Sequence, residues 1–320
     1  MPRFIQIALR ALVLFGLASA AQADTDKPIR IIVITAAGGS ADFMARFIAE
    51  RVGPQLGRNF IVDNRPGAGG NIATARAAQS PPDGNTLLLT SNNHTINPLI
   101  FASAGYDAAR DFVPVVQLTR GPIVVTVGDG SSANTLADYV ARARREPTAG
   151  GYATYGIGGA AHMVGEMLRE ASGSDLRHVP YRGAAPAITD AIGGQVPSAI
   201  VSLASATPHI GAGKLKALAI ASAQRWPGSP DIPTLAELGY KDVVYDVWLG
   251  VLAPAGTDAA WVATLNREIA AAVTTPQARA LLSRQGLEPV AGTAADFGRY
   301  LDEETGTMAR LVKKNGITAD

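Results

Sequence analysis

A strand, a Gly-Gly turn and a helix start follow one another near the head of the chain. No other feature limits the fold so tightly. Residues 29–34 are strongly apolar, as in a strand buried on both faces of a parallel sheet. Ala36-Ala37-Gly38-Gly39-Ser40-Ala41-Asp42 comes next. Beyond it, apolar side chains recur at Phe43, Met44, Phe47, Ile48, Val52 and Leu56, the stripe of an amphipathic helix. The first N–H groups of such a helix have no intrahelical acceptor, and its dipole places partial positive charge there. The turn is therefore a cradle for an anion. Residues 60–62 give a second strand, 72–78 a short helix and 86–90 a third strand. This βαβαβ order belongs to a doubly wound α/β sheet. Ligands of such sheets bind beyond the carboxyl ends of the strands, where both the 36–42 turn and Ser91-Asn92-Asn93-His94 lie.

A second unit of the same design follows. Residues 113–116 and 123–127 are expected as two strands, separated by a turn at Thr119-Arg120-Gly121-Pro122. The second of them enters a new domain. A helix over 135–145 and a strand over 151–155 lead to Gly156-Ile157-Gly158-Gly159-Ala160-Ala161-His162. The next helix buries Met163, Val164, Met167 and Leu168. Strands at 177–180, 196–203 and 215–220 and a helix at 185–192 complete the alternation. Residues 226–240 are rich in Pro and Gly and read as a connector, and 243–252 is the return strand carrying Trp248. Helices over 258–273, 276–282 and 294–313 are expected to pack on the first domain. The domain boundaries are 24–122 with 242–320 for lobe one and 123–241 for lobe two.

Composition narrows the function. Arg3 and Arg10, the small apolar stretch 11–20 and Ala21-Gln22-Ala23 read as an export signal over residues 1–23. Without its two arginines the 28 basic residues fall to 26 against 27 acidic. A near-neutral chain argues against nucleic acid and anionic membranes as partners. Cysteine is absent, which removes disulfides, thiolate metal sites, a cysteine nucleophile and a lipid-modified cysteine anchor. A protein loose in the periplasm is expected.

Three constellations could carry chemistry. The paired turns at Gly38-Gly39-Ser40 and Gly158-Gly159-Ala160 present two sets of backbone donors to one cleft if the domains face each other. Singly, each reads better as a tight βα turn, and only the two together, with an export signal and paired α/β domains, favour binding. Gly156-x-Gly158-x-x-Ala161 matches the loose dinucleotide pattern, but Asp175 precedes the next strand instead of ending it, against the requirement for an acid at the strand end. Hydrolase signatures of the G-x-S-x-G and H-E-x-x-H types are missing. His94, His162, His178 and His209 are scattered. His162, in a helix's first turn, is expected to be neutral because the dipole disfavours its charged form. Asp42 and Asp190 are a conceivable carboxylate pair, with Asp42 equally readable as a first-turn acid that holds its loop.

Five segments then occur in order: Ala36 to Asp42, Asp63-Asn64-Arg65-Pro66-Gly67-Ala68-Gly69-Gly70-Asn71, Pro82-Asp83-Gly84-Asn85-Thr86-Leu87, Val179-Pro180-Tyr181-Arg182-Gly183 and Asp190-Ala191-Ile192-Gly193-Gly194-Gln195-Val196. As a set they resemble the substrate-binding receptors of tripartite tricarboxylate transporters, the Bug family, over essentially all of the chain after residue 23. The resemblance implies a type II periplasmic binding protein, in which two doubly wound α/β lobes joined by crossing strands close on a ligand in the cleft between them. It implies a monomer that is not an enzyme, uses no cofactor or metal, and delivers a small organic carboxylate to a membrane permease. Carried over, the contacts are Ala37, Gly38, Gly39, Ser40, Asp42, Ser91 and Asn92 from lobe one. Lobe two supplies Gly158, Gly159, Ala160, Ala161, His162, Tyr181 and Asp190. The chain departs from the family pattern at Ile34 and Thr35, where relatives usually carry Pro and an aromatic, and at Ala160 and Ala161, where Ser is common. A secreted hydrolase or isomerase on the same fold, and a ligand-sensing module, are the rival readings.

Overall fold

The computed structural model describes residues 27–319. The export signal expected at 1–23 lies outside them. In chain order, β1 (Ile29–Val33), α1 (Ser40–Leu56), β2 (Phe60–Asn64), α2 (Asn71–Ala78), β3 (Thr86–Ser91) and α3 (Asn93–Ile100) lead to β4 (Phe112–Gly128). Next come α4 (Leu136–Arg145), β5 (Gly151–Thr154), α5 (Ala160–Ser172), β6 (Arg177–Pro180), α6 (Ala184–Ile192), β7 (Ser198–Ser202), α7 (Leu203–Gly211) and β8 (Leu215–Ile220). The chain closes with β9 (Asp246–Pro254), α8 (Ala259–Thr274), α9 (Pro276–Arg284), β10 (Glu288–Pro289) and α10 (Ala294–Asn315).

The strands lie in the order β2-β1-β3-β9-β4-β7-β5-β6, with β8 and β10 also paired to β4. β1 is parallel to β2 and β3, whereas β9 is antiparallel to both β3 and β4. β4 therefore runs in the same sense as β1 and β3. Past Ile123, β4 is antiparallel to β7, which is parallel to β5, as β5 is to β6. The parallel strands of the second half thus run back toward the first. The carboxyl ends of both sets of strands point at each other across the crossing, which sets the place of the site.

β4 is one strand of 17 residues, not two strands and a turn. Gly121-Pro122 is a turn signal in isolation, but tertiary pairing overrides it. β9 pairs with β4 as far as Pro122↔Asp246, and β7 takes over at Ile123↔Ser202. The proline, which has no N–H to donate, falls where the strand changes partners. Gly121 keeps its place for lack of room, because a Cβ there would lie 2.8 Å from the Gly286 carbonyl oxygen.

α3 is the second departure, since Ser91 to His94 reads as a loop in sequence. Ser91 ends β3, Asn92 caps the helix and Asn93 begins it. Pro98 stands inside α3 and cannot bond the His94 carbonyl one turn earlier. The Tyr106 hydroxyl donates to that carbonyl at 3.1 Å instead.

The core forms on both faces of the sheet. Ile31, Val33, Leu87 and Leu89 pack with Met44 and Ile48 of α1 and with Leu265 and Ile269 of α8. On the other face Trp248 stands edge-on to Phe297 and Tyr300 of α10, at 5.4 and 6.2 Å between ring centres. Burying one such ring contributes roughly 2–3 kcal/mol. α10 does not stay with the first half of the sheet as expected. Its last turn reaches α5, where Arg169 donates to Asn315 at 2.7 Å and Lys314 pairs with Glu170. Beyond the helix, the Ala319 amide donates to the Ile100 carbonyl of α3 at 2.9 Å.

Candidate functional site

The two glycine turns have the same construction. Gly38 and Gly158 take the left-handed conformation, with φ of +90° and +75°, which costs glycine little and any other residue more. Gly39 and Gly159 then cap α1 and α5 in extended conformation, with φ/ψ of −84°/173° and −80°/165°. Three residues into each helix a side chain reaches back to the left-handed glycine. Asp42 Oδ2 accepts the Gly38 N–H at 3.0 Å, and His162 Nδ1 accepts the Gly158 N–H at 3.2 Å. Each turn is thereby fixed with its remaining helix-terminal amides aimed off the helix end.

In the first half, Ala37, Gly38, Gly39 and Ser40 are exposed, while Asp42 is buried. Arg46 lies 3.0 Å from each Asp42 oxygen. Its hydrogen bond, helped by the Gly38 amide against the opposing effect of burial, holds the Asp42 carboxyl below its ordinary value. Asn64 Nδ2 donates to the Thr35 carbonyl at 3.1 Å, tying the loop after β2 to the loop after β1. Ile34 is buried, and a Cβ on Gly70 would meet its Cβ at 3.1 Å.

Ser91 is half-buried at the end of β3, and its hydroxyl donates to Asn93 Oδ1 at 3.4 Å. Asn92 is 1% exposed. Its side chain donates to the Asp246 carbonyl and to Glu304, and accepts the Trp248 N–H, so it pins the β3–α3 junction. One turn on, Asn97 donates to the Gly69 carbonyl at 3.0 Å and to Asn71 Oδ1 at 2.6 Å. A Cβ on Gly158 would lie 3.1 Å from Asn97 Oδ1 and 2.5 Å from Ile100 Cδ1. α3 is therefore the place where the second turn touches the first half of the molecule. Asn93 and Asn97 escaped the sequence reading, although their spacing of four residues, one helical turn, was a usable signal.

In the second half, Gly158, Gly159, Ala160, Ala161 and His162 are all buried. The alanine methyls belong to the core, so contact with a ligand would run through backbone. The Ala161 amide already donates to the Tyr155 hydroxyl at 3.2 Å. The His162 ring stacks on His178 at 3.8 Å between centres and 15° between planes. Burial pushes the His162 imidazole down to about 4, and burial with the neighbouring ring pushes His178 down to about 3. His162 is neutral, as expected, but burial is the main cause. With Nδ1 accepting from Gly158, its proton sits on Nε2. His178 Nε2 lies 2.7 Å from Thr154 Oγ1, which also braces the Gly156 amide. Tyr181 and Asp190 are half-buried partners of each other at 2.7 Å, and hydrogen bonding to the carboxylate pushes the phenol up to about 12. The Tyr181 amide donates to the Thr154 carbonyl, which sets this loop beside the Gly156–Gly159 turn.

The side chains nearest the turns are thus spent on the turns themselves. Among the described residues no group of three or more His, Asp or Glu is placed to hold a metal ion, and no helix is long and apolar enough to cross a membrane. Asp175 pairs with Arg177 at the start of β6. A cavity of about 530 Å³ among Gly128, Ser131, Arg142, Ala149, Ala191 and Pro197 lies at the amino ends of β5 and β7, the far end from the turns.

Comparison with known proteins follows the same lines. Residues 44–317 match the sequence model described as tripartite tricarboxylate transporter family receptor. The chain is 34% identical to Protein BugT of Bordetella pertussis over 305 residues, 94% of each protein. The solved structure of Rhodopseudomonas palustris Rpa4515 with adipate is 32% identical, with a TM-score of 0.84 over 92% of this chain and 98% of that one. MatC of the same organism, with bound malate, is 28% identical, with a TM-score of 0.81 over 90% and 99%.

Proposed function

The chain belongs to the tripartite tricarboxylate transporter receptor family, and from this we propose that it is a periplasmic receptor that closes on a small organic carboxylate, a di- or tricarboxylate or a related acid, and delivers it to a membrane permease. The observation that carries the reading is the pair of matching turns at the facing strand ends, each held open by its own side chain. A carboxylate fits such donors because the amides are fixed before binding and the helix dipoles favour negative charge. We take the lobes to be 24–122 with 242–320 and 123–241. The first turn, Ala37 to Ser40, is exposed and offers its amides first, beside the Ser91 hydroxyl. The turn at Gly158 and the Tyr181 loop form the opposite wall. Closure brings the two walls together along α3, and the permease recognises the closed form.

Related receptors hold adipate and malate, both dicarboxylates, which supports the same ligand class here. Ile34 and Thr35 give this first turn no aromatic wall, so the ligand's chain meets backbone and a small polar side chain. The commitment of Asp42 and His162 to their own turns favours a receptor over a hydrolase, because neither is free to serve as a general base. The test is a thermal-shift screen with mono-, di- and tricarboxylates. A ligand at 100 times its dissociation constant adds about 2.7 kcal/mol, an easily read rise in Tm. No response to any carboxylate contradicts the proposal.

A further inference from the structure

One buried acid has no part in the turns. Glu304, near the middle of α10, is 6% exposed and forms no ion pair among the described residues. It accepts four short hydrogen bonds instead. Asn92 Nδ2 at 2.9 Å, the Tyr245 hydroxyl at 2.6 Å and the Trp248 indole N–H at 2.8 Å converge on Oε1, and the Thr95 hydroxyl reaches Oε2 at 2.7 Å. Tyr300 stands behind at 3.4 Å. The donors come from the β3–α3 junction and from the return chain that becomes β9. Removing an acceptor that satisfies several buried donors leaves each of them costly.

We infer that Glu304 is the positioning residue for the Ser91–Asn97 edge of the cleft. It acts through Asn92 and Thr95, the cap and first turn of α3. Asn92 in turn accepts the Trp248 N–H and donates to the Asp246 carbonyl, so the α3 start is fixed to β9 only while its amide is held in register. α3 then sets Asn93 beside the Ser91 hydroxyl, ties Asn97 to the Gly69 carbonyl and meets the Gly158 turn. The inference rests on the proposed binding site for its consequence in affinity, but not for its consequence in local order.

Glutamine separates geometry from charge at this position. Its carbonyl replaces Oε1 for Asn92, Tyr245 and Trp248. Its amide replaces Oε2 and donates to Thr95 Oγ1, whose hydroxyl also lies 3.0 Å from the Asn92 carbonyl and can donate there. Every partner stays satisfied in Glu304→Gln, whereas Glu304→Ala takes the acceptor from an Asn92 amide hydrogen, the Tyr245 hydroxyl and the Trp248 indole N–H.

Hydrogen exchange of the ligand-free protein, with wild type, Glu304→Ala and Glu304→Gln compared, decides the matter. The Ala variant is expected to exchange at least tenfold faster over 92–97 than wild type, with β5 to β7 unchanged, and the Gln variant is expected to restore protection. Calorimetric titration with adipate and with malate is the second arm, with at least tenfold weaker binding for Ala and binding within about threefold of wild type for Gln. If Glu304→Ala does not fold cooperatively, Thr95→Val removes one donor with little change in volume and takes its place in both arms. Unchanged exchange at 92–97, uniformly faster exchange everywhere, or a Gln variant as impaired as Ala overturns the inference. If wild type binds neither acid, the fault lies with the proposed ligand class, and the exchange arm alone judges Glu304.

Discussion

Asp42 and His162 hold equivalent positions in two turns 120 residues apart in the chain. Each is the third residue of its helix, and each accepts the N–H of the left-handed glycine before the cap, at 3.0 and 3.2 Å. An anionic carboxylate does this in one turn and a neutral imidazole in the other. The first brace is charged, exposed on its Arg46 side and insensitive to pH near neutrality. The second is buried and uncharged, so the two jaws differ in electrostatics while agreeing in shape.

Removing the first brace tests its role. Asp42→Ala frees the Gly38 amide and breaks the Arg46 pair. A loss of about 1–2 kcal/mol of stability is expected, with cooperative unfolding retained. Affinity for the carboxylate found in the screen is expected to fall by about tenfold or more, since a loosened turn no longer presents fixed donors. Equilibrium unfolding in urea and calorimetric titration read the two effects. Wild-type affinity in this variant would remove the first turn from the site.

Two adjacent glycines are expected to behave differently. Gly38 sits at φ +90°, where a Cβ costs about 1–2 kcal/mol. At Gly39 the backbone is ordinary, and a Cβ would meet nothing closer than Thr35 Oγ1 at 3.7 Å. Gly38→Ala is therefore expected to lower Tm and weaken binding, and Gly39→Ala to leave Tm within a degree or two of wild type. Equal effects in the two variants contradict the turn geometry.

Acid is expected to destabilise the protein through its buried histidines. Burial pushes His94 down to about 4, like His162, and His178 to about 3. In the unfolded chain each takes up a proton near pH 6.5, while in the fold each stays neutral. Unfolding therefore becomes easier as pH falls below about 6.5, and the effect levels off below the folded values. His94 alone accounts for about 3 kcal/mol. His94→Gln keeps a donor for the Ala108 carbonyl and is expected to flatten the profile between pH 6.5 and 4. Stability that is flat over this range in wild type would falsify the neutral state of these rings.

Closure is expected to be sensitive to the smallest side chain. A Cβ on Gly158 would press on Ile100 and Asn97 of α3. On another flank of the crossing, a Cβ on Gly286 would lie 2.8 Å from the Ala204 Cα. Gly158→Ala and Gly286→Ala each place a methyl between the halves. Small-angle scattering with saturating ligand is expected to give a larger radius of gyration for both variants than for wild type. Identical radii would show that these contacts do not limit closure.

Much of the architecture was legible because period and punctuation agreed at each step. The stretch 29–34, the Gly pair and the α1 stripe left one answer, and the second turn repeated it. What was hidden depended on tertiary context. Gly121-Pro122 looked like a turn, because nothing local reports that β9 and β7 pair on either side of it. α3 looked like a loop, because the rescue of Pro98 comes from Tyr106, eight residues later. Lys314 and Asn315 gave no sign of reaching α5, since a charged helix end reads as solvated. Within the site, glycines and first-turn residues were visible by type and position. Asn92 was visible too, but not its burial, because its partners Trp248 and Glu304 lie more than 150 residues away.

The most direct test of the account is isothermal titration of the purified receptor with a series of aliphatic dicarboxylates that includes adipate and malate, run in parallel on Asp42→Ala. Saturable one-site binding by wild type, weakened about tenfold or more in the variant, is the predicted result. Binding of no carboxylate by wild type, or equal affinity in both proteins, would contradict it.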